Sequence, residues 1–441
     1  MQIAVVGSGI AGLGASWCLS AEHEVTLYES ESRLGGHSRT LEVDLAGSLV
    51  NVDTGFIVYN ERNYPNLTEL FKTLGVATSA SDMSFGVSVG GGSFEYAGRV
   101  GGLFTKPRAV FSRRAWGILF GILRFRGEAG RLEACLMPDD VSVSRYLADR
   151  GFPTPFIEDY LLPLASAVWS ATRNDARAMP AATFLQFLNN HGLIRVTDRP
   201  PWRTVAGGSR TYVDHLAKKI TRIHTARRVT GVARNSEGVT ISDSSGAQNR
   251  YDHVVFATHA DTTLHILGDN ASPAERRVLS RFGYDKNEVV LHTDESVMPT
   301  SRRAWSAWNV KETINDDGSE PVAVSYWMNR LQHLETDTNV FVTLNPGDSI
   351  RPASVIDRWS TMHPQFDLDA QRAQKELPSI QGVARVWFAG AYHGHGFHED
   401  ALQSGLTVAE ALGSPPPWLG QIVPRSPAAH HSMPARKGDP L

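Results

Sequence analysis

The chain opens on four consecutive apolar positions, Ile3-Ala4-Val5-Val6, a run that suits a strand buried on both faces. Small residues come next, and residues 13–20 then carry a helical pattern. Val25-Thr26-Leu27-Tyr28 predicts a second strand that ends on the carboxylate of Glu29. Residues 227–232 and 239–241 read as a β-hairpin, and 251–258 and 386–388 as further strands. Strand-like stretches at 288–292, 304–310, 322–328 and 340–344 predict a second sheet. The triplet Gly90-Gly91-Gly92 predicts a hairpin turn, and residues 212–219 a helix. Residues 115–123 are uncharged, apolar nearly all round, and held between Arg114 and Arg124. That run is far shorter than the roughly 20 residues a bilayer span needs. The N-terminus reads as a strand and not as a secretory signal.

The segment between the first strand and helix is Gly7-Ser8-Gly9-Ile10-Ala11-Gly12. Strand, GxGxxG, helix, second strand and terminal acid together form a dinucleotide-binding fingerprint. Gly7 permits the tight turn, Gly9 lets the backbone approach a pyrophosphate, and Gly12 lets helix and strand pack closely. The first helical amides favour phosphate charge, and Glu29 stands where an acid accepts hydrogen bonds from a ribose diol.

Beyond the second strand the chain resembles one family of flavin enzymes. Glu29-Ser30-Glu31-Ser32-Arg33-Leu34-Gly35-Gly36-His37-Ser38 has the form E-x-x-x-R-x-G-G and resembles the pyrophosphate and ribityl segment of FAD enzymes of the amine oxidase and phytoene desaturase superfamily. Asp53-Thr54-Gly55-Phe56 is similar to the segment beside the flavin ring there, and Val255-Phe256-Ala257-Thr258 to a strand-and-turn segment. Trp387-Phe388-Ala389-Gly390 with Glu399-Asp400-Ala401-Leu402 is similar to the C-terminal flavin motif. The resemblance implies FAD as cofactor and places Val229 near the adenine. It implies an α/β fold: a Rossmann-type FAD domain with a parallel sheet, joined to an α+β substrate domain. The FAD domain would be discontinuous, over 1–80, 203–265 and 380–413, with 81–202 and 266–379 forming the substrate domain. Many relatives carry an acid directly after the strand glycine. This chain has Ala391, so the ribityl contact is expected from Asp400 or from backbone. The chain is also similar to a bacterial group of FAD-binding proteins associated with cyclopropane-fatty-acid-synthase-like methyltransferases. That association implies lipid modification and a lipid methyltransferase as functional partner.

Candidates for catalytic roles are Tyr392, His393 and, by the same resemblance, Lys286 as a flavin-proximal lysine. An unperturbed imidazole titrates near neutrality, which makes His393 a general-base candidate. Trp305, Trp308, Tyr326 and Trp327 form an aromatic group on strand-like text; alternation lets one of each pair face the flavin. Residues 99–131 hold eight basic residues (Arg99, Lys106, Arg108, Arg113, Arg114, Arg124, Arg126, Arg131) against Glu128. With Trp116, Leu119, Phe120 and Leu123 between them, this is either an element that meets anionic lipid or an acyl chain, or a buried helix with solvated ends.

Composition narrows the classes. Length alone, at 441 residues, allows two to three domains. A net charge of −3 excludes a dedicated nucleic-acid binder. Cys18 and Cys135 are too few for a disulfide framework or thiolate metal site, and no metal is expected. Sixteen of the 39 glycines fall within the first 102 residues, where the nucleotide loop lies. No second GxGxxG follows a strand, so the flavin is expected to be reduced by substrate and reoxidised by oxygen, a quinone or a protein carrier. The proline-rich residues 414–441 are expected to be disordered. Taken together, the sequence predicts a cytoplasmic FAD oxidoreductase, at most peripheral at the inner membrane face. It would transfer hydride from a fatty acyl chain or lipid to flavin N5. An amine oxidase, a redox-neutral flavin isomerase and a non-catalytic flavin-binding partner of a methyltransferase are the alternatives.

Overall fold

The computed structural model describes all residues except 46, 99–101, 105–110, 130–140, 170–171, 191–199, 313–321 and 423–441. Cys135, Arg99, Lys106, Arg108 and Arg131 therefore lie outside the described residues.

A five-stranded parallel sheet runs in the order Arg222–His224, Glu24–Tyr28, Gln2–Val6, His253–Phe256, Val386–Phe388. Ile3, Val5, Val254 and Val255 are wholly buried, as strands covered on both faces require. Chain order reverses at Gln2–Val6, and a ligand crevice is expected at the carboxyl ends of the strands at such a switch point. One covering layer is built from Ile10–Leu19 and His398–Ala411. These helices approach closely because two glycines remove side chains from the contact. A Cβ on Gly405 would lie 2.2 Å from the Ala11 carbonyl oxygen, and one on Gly14 2.5 Å from Leu402. The predicted hairpin forms at Val229–Asn235 and Gly238–Asp243, joined by Gln248–Tyr251.

A second, seven-stranded sheet has the order Val355–Pro364, Tyr284–His292, Phe341–Leu344, Val322–Trp327, Trp308–Glu312, Phe85–Val89, Phe94–Ala97. All pairs are antiparallel except Trp308–Glu312 with Phe85–Val89. The glycine triplet does turn the hairpin between its last two strands. Two strand expectations are corrected by this sheet. The strand predicted at 304–310 starts only at Trp308, because Arg302–Ala304 is a 3₁₀ turn. Val355–Pro364 is a strand that its sequence did not predict. Its Asp, Arg, Ser, Thr and His side chains hide the period of two.

The first part of the proline-rich segment is not disordered as expected. Residues 414–422 pack on the parallel-sheet half: Trp418 is buried, stacks on Trp17 at 6.1 Å, and donates its indole N–H to Asn66 Oδ1 at 3.0 Å. The rest of that segment lies outside the described residues. No helix among the described residues is long and apolar enough to cross a membrane.

Candidate functional site: a cavity at the strand ends

Four parallel strands deliver their carboxyl ends to one place. Gly7 follows Val6, Glu29 follows Tyr28, Ala257 follows Phe256, and Gly390 stands two residues after Phe388. All four line a cavity of about 960 Å³ that continues to the second sheet. Of the predicted cofactor residues, Ser8, Gly9, Ile10, Ala11, Ser30, Gly36, His37, Thr54, Gly55, Phe56, Val229, Thr258, Ala391 and Ala401 also line it.

The nucleotide loop fits a dinucleotide. Gly7 sits at φ +102°, a conformation open to glycine. Helix Ile10–Leu19 is capped by Gly9 with no side-chain bond, so its first amides face the cavity unpaired by a cap. A Cβ at Gly9 would meet nothing within 4 Å, whereas one at Gly12 would fall 1.9 Å from the Gly7 carbonyl oxygen. Gly12 is therefore a packing residue behind the loop. Glu29 accepts from the Ser8 amide and hydroxyl at 2.9 and 2.5 Å, the Ser30 hydroxyl at 3.1 Å and the Glu31 amide at 2.9 Å. Those four bonds fill a carboxylate, so a ribose diol can reach Glu29 only by displacing the Ser8 or Ser30 hydroxyl. Arg227, Arg228 and Thr230 join Glu29 and Val229 at this end.

Several predicted residues lie behind the wall. Gly35 and Leu402 are packing positions, the latter under Gly14. Arg33 turns its guanidinium to the Gly36 carbonyl at 2.8 Å and to Glu31 at 3.0 Å. Ser38 is buried and bonds the Tyr212 hydroxyl, which in turn bonds His398 Nε2 at 2.7 Å. Asp400 does not reach the cavity. Its carboxylate accepts from the His395 and Phe397 amides at 3.0 and 2.9 Å, closing the turn before helix His398–Ala411. The ribityl expectation therefore passes to backbone at this helix start, where His398 and Ala401 line the cavity. Asp53, next to the lining Thr54, is buried and anchors three segments by accepting from Thr40, Ser209 and Gln332. Burial raises its carboxyl to about 6.

The catalytic candidates separate. Tyr392 lines the cavity, and its buried hydroxyl has no partner among the described residues. His393 does not line it, and burial depresses its imidazole to about 4, so it is no near-neutral base. Lys286 points the wrong way. Opposite residues of an antiparallel pair share a face, and the face of the pairs Asp285–His363, Asn287–Thr361 and Val289–Trp359 supplies the lining residues Val289, Trp359, Thr361 and His363. Lys286 pairs with Met362 on the other face and is exposed.

The aromatic group divides as well. Trp308 and Tyr326 pair across strands, meet edge to face at 4.9 Å, and line the cavity. Trp305 and Trp327 pack together at 5.3 Å in another cluster.

Two histidines at the cavity, His259 and His363, were not among the predicted residues. His259 and His363 line the cavity with His37, whose ring lies 6.3 and 5.5 Å from theirs. His37 Nε2 bonds Thr361 Oγ1 at 2.7 Å, and His259 stacks on Tyr284 at 4.5 Å. Burial holds His363 at about 4 and His398 at about 3. It also holds His37 and His259 below their ordinary range, with neighbouring histidines adding to the effect at His37. All four are neutral at pH 7, able to donate or accept but carrying no charge. A signal existed only for His259, which directly follows the Ala257-Thr258 turn; His363 lies on the strand whose polar side chains hide its period.

Comparison with known proteins agrees with this geometry. A profile of the flavin containing amine oxidoreductase family matches residues 10–413. No curated protein matches the chain. Several solved structures share its fold. A CLA-producing fatty acid isomerase from P. acnes superposes with TM-score 0.66 at 15% identity, covering 93% of this chain and 97% of that one. Cyclohexylamine oxidase from Brevibacterium oxydans gives 0.65 at 16%, covering 93% and 99%. A putative protoporphyrinogen oxidase from Exiguobacterium gives 0.66 at 15%, covering 93% and 98%. With its matched profile spanning most of its length, a cavity at the strand ends and a nucleotide loop shaped for a dinucleotide, the chain belongs to the flavin-containing amine oxidoreductase family and is an oxidoreductase whose cofactor is FAD.

Proposed function

We propose that this enzyme acts on a neutral, apolar substrate, a fatty acyl chain or lipid, and removes hydrogen from it in the manner of a desaturase. One observation carries the reading. Among the described residues, the only fully charged side chains lining the cavity are Glu29, Arg227 and Arg228, all at the nucleotide end. The part built by the second sheet and helix Leu162–Trp169 is lined by Met83, Phe85, Leu164, Val168, Val289, Val342 and Leu344 with Trp169, Trp308 and Tyr326. No carboxylate stands there to hold an ammonium group, and burying an unpaired charge is costly. An acyl chain loses only water, at about 0.8 kcal/mol gained per buried methylene.

Bound FAD supplies the acceptor for a hydride from the substrate. The chain supplies the rest. The lining holds the acyl segment, the edge-to-face Trp308–Tyr326 pair narrows its path, and the apolar walls exclude water. The proton that remains falls to His259, since burial holds His363 at about 4 and His37 well below its ordinary range. Similarity to the group associated with lipid methyltransferases supports a lipid substrate and such an enzyme as functional partner. The fold shared with a fatty acid isomerase supports a second reading, in which hydrogen returns to the same chain.

Anaerobic titration of the oxidised holoenzyme, followed by flavin absorbance, tests the proposal. Bleaching by long-chain acyl lipids and not by aliphatic amines is expected. Bleaching by amines alone would overturn it. A displaced double bond formed without any electron acceptor would assign the isomerase reading.

A further inference from the structure

Helix Arg113–Ala129 presents an apolar stripe to solvent. Trp116, Phe120 and Leu123 are 39, 61 and 53% exposed, and Phe111 just before it is 88% exposed. These are four of the nine large exposed hydrophobic residues among the described ones, gathered within residues 111–123. Trp116, Phe120 and Leu123 fall within about a third of the helix circumference. A surface helix ordinarily turns such a stripe inward. Here the inward face is already taken: Ala115, Ile118 and Phe125 are buried. Two glycines press that face onto its neighbour, since a Cβ on Gly121 would lie 2.2 Å from Phe156 and one on Gly117 3.3 Å from Pro155. That contact fixes the rotation of the helix and leaves the second apolar stripe outside.

Charge selects what covers it. Exposed Arg113 and Arg124 border the stripe; the helix's one acid, Glu128, is bound by Arg124 and Arg150, and Arg114 is bound by Asp159. A second copy of the same face would bring like charges together. We propose that this face docks the protein on the surface of an anionic bilayer, with Phe111, Trp116, Phe120 and Leu123 entering the headgroup boundary and Arg113 and Arg124 meeting lipid phosphates. The position has a use. Ile118 belongs to one buried cluster with Ala167 and Tyr326, on the helix and strand that wall the apolar part of the cavity. The docking face therefore lies outside the wall of the proposed acyl site. Its purpose rests on the acyl-substrate reading; its geometry does not.

Sedimentation of the holoenzyme with vesicles tests docking. Vesicles of phosphatidylcholine mixed with phosphatidylglycerol are expected to carry the protein down, and pure phosphatidylcholine much less, with the difference shrinking in high salt. The double substitution Phe120→Ser and Leu123→Ser should weaken binding roughly tenfold or more while leaving the flavin spectrum and melting temperature unchanged. Arg113→Glu should weaken binding to the anionic vesicles only. No binding to anionic vesicles at low salt, unchanged binding by the double variant, or a dimer abolished by that variant would overturn the proposal. Vesicle binding without flavin reduction by acyl lipid would sink the substrate reading alone. Reduction without binding would sink docking alone.

Discussion

Gly12 shows how little room the nucleotide loop leaves. It is an ordinary helical position, yet a Cβ there would sit 1.9 Å from the Gly7 carbonyl oxygen, with Ala257 at 3.1 Å. Either the helix start or the strand end must move, and such overpacking costs about 1–3 kcal/mol. Gly12→Ala is therefore expected to lower the melting temperature and to purify with little flavin, read from the ratio of visible to ultraviolet absorbance. At the neighbouring scale of hydrogen bonds, Glu29 is already saturated by Ser8, Ser30 and Glu31. Ser30→Ala frees one acceptor site, so it should leave FAD affinity unchanged or improve it, measured by quenching of flavin fluorescence.

At the scale of elements, the strands decide which side chains reach the cavity. The pairing of Tyr284–His292 with Val355–Pro364 turns Thr361 and His363 inward and Lys286 outward. Lys286→Met should accordingly change kcat/KM by less than about twofold, as expected of a surface position. A loss of a hundredfold or more would restore the lysine to the site. The segment 414–422 is the other case. Proline content suggests disorder, but Trp418 is buried on Trp17 and bonded to Asn66. Trp418→Ala should destabilise the protein by about 3–5 kcal/mol, the usual cost of removing a buried aromatic, seen in a denaturant midpoint.

For the whole molecule, buried histidines set the response to acid. His292, His363 and His393 have imidazoles near 4 and His398 near 3, each lowered by burial. A depressed histidine contributes stability above its unfolded value of about 6.5 and loses it as pH falls through its folded value. Buried Glu399 and Asp53, raised to about 7 and about 6, and Asp400, also raised by burial, act in the opposite direction. Those four histidines, with His37 and His259 lowered as well, outweigh the three carboxylates. The melting temperature should thus fall between about pH 6.5 and about pH 4. A rise on acidification would mean that the carboxylates dominate.

Sequence by itself determined the nucleotide half. Its fingerprint is local: Gly7, Gly9, Gly12 and Glu29 lie within 23 residues, and their spacing demands one βαβ geometry. The split of Tyr326 from Trp327 also follows from strand alternation, whereas Trp305 parts from Trp308 because it lies before the strand begins. Tertiary structure alone decided the rest. Nothing local tells that Asp400 closes its own turn, since a capping acid and a ligand-binding acid read alike. Nothing local joins His37, His259 and His363, which come from three separate segments and meet only when two sheets close on one cavity. The helix 113–129 is apolar on nearly every side, so periodicity could not choose its buried face. Gly117 and Gly121, fitting against Pro155 and Phe156, chose it and left Phe120 and Leu123 in solvent.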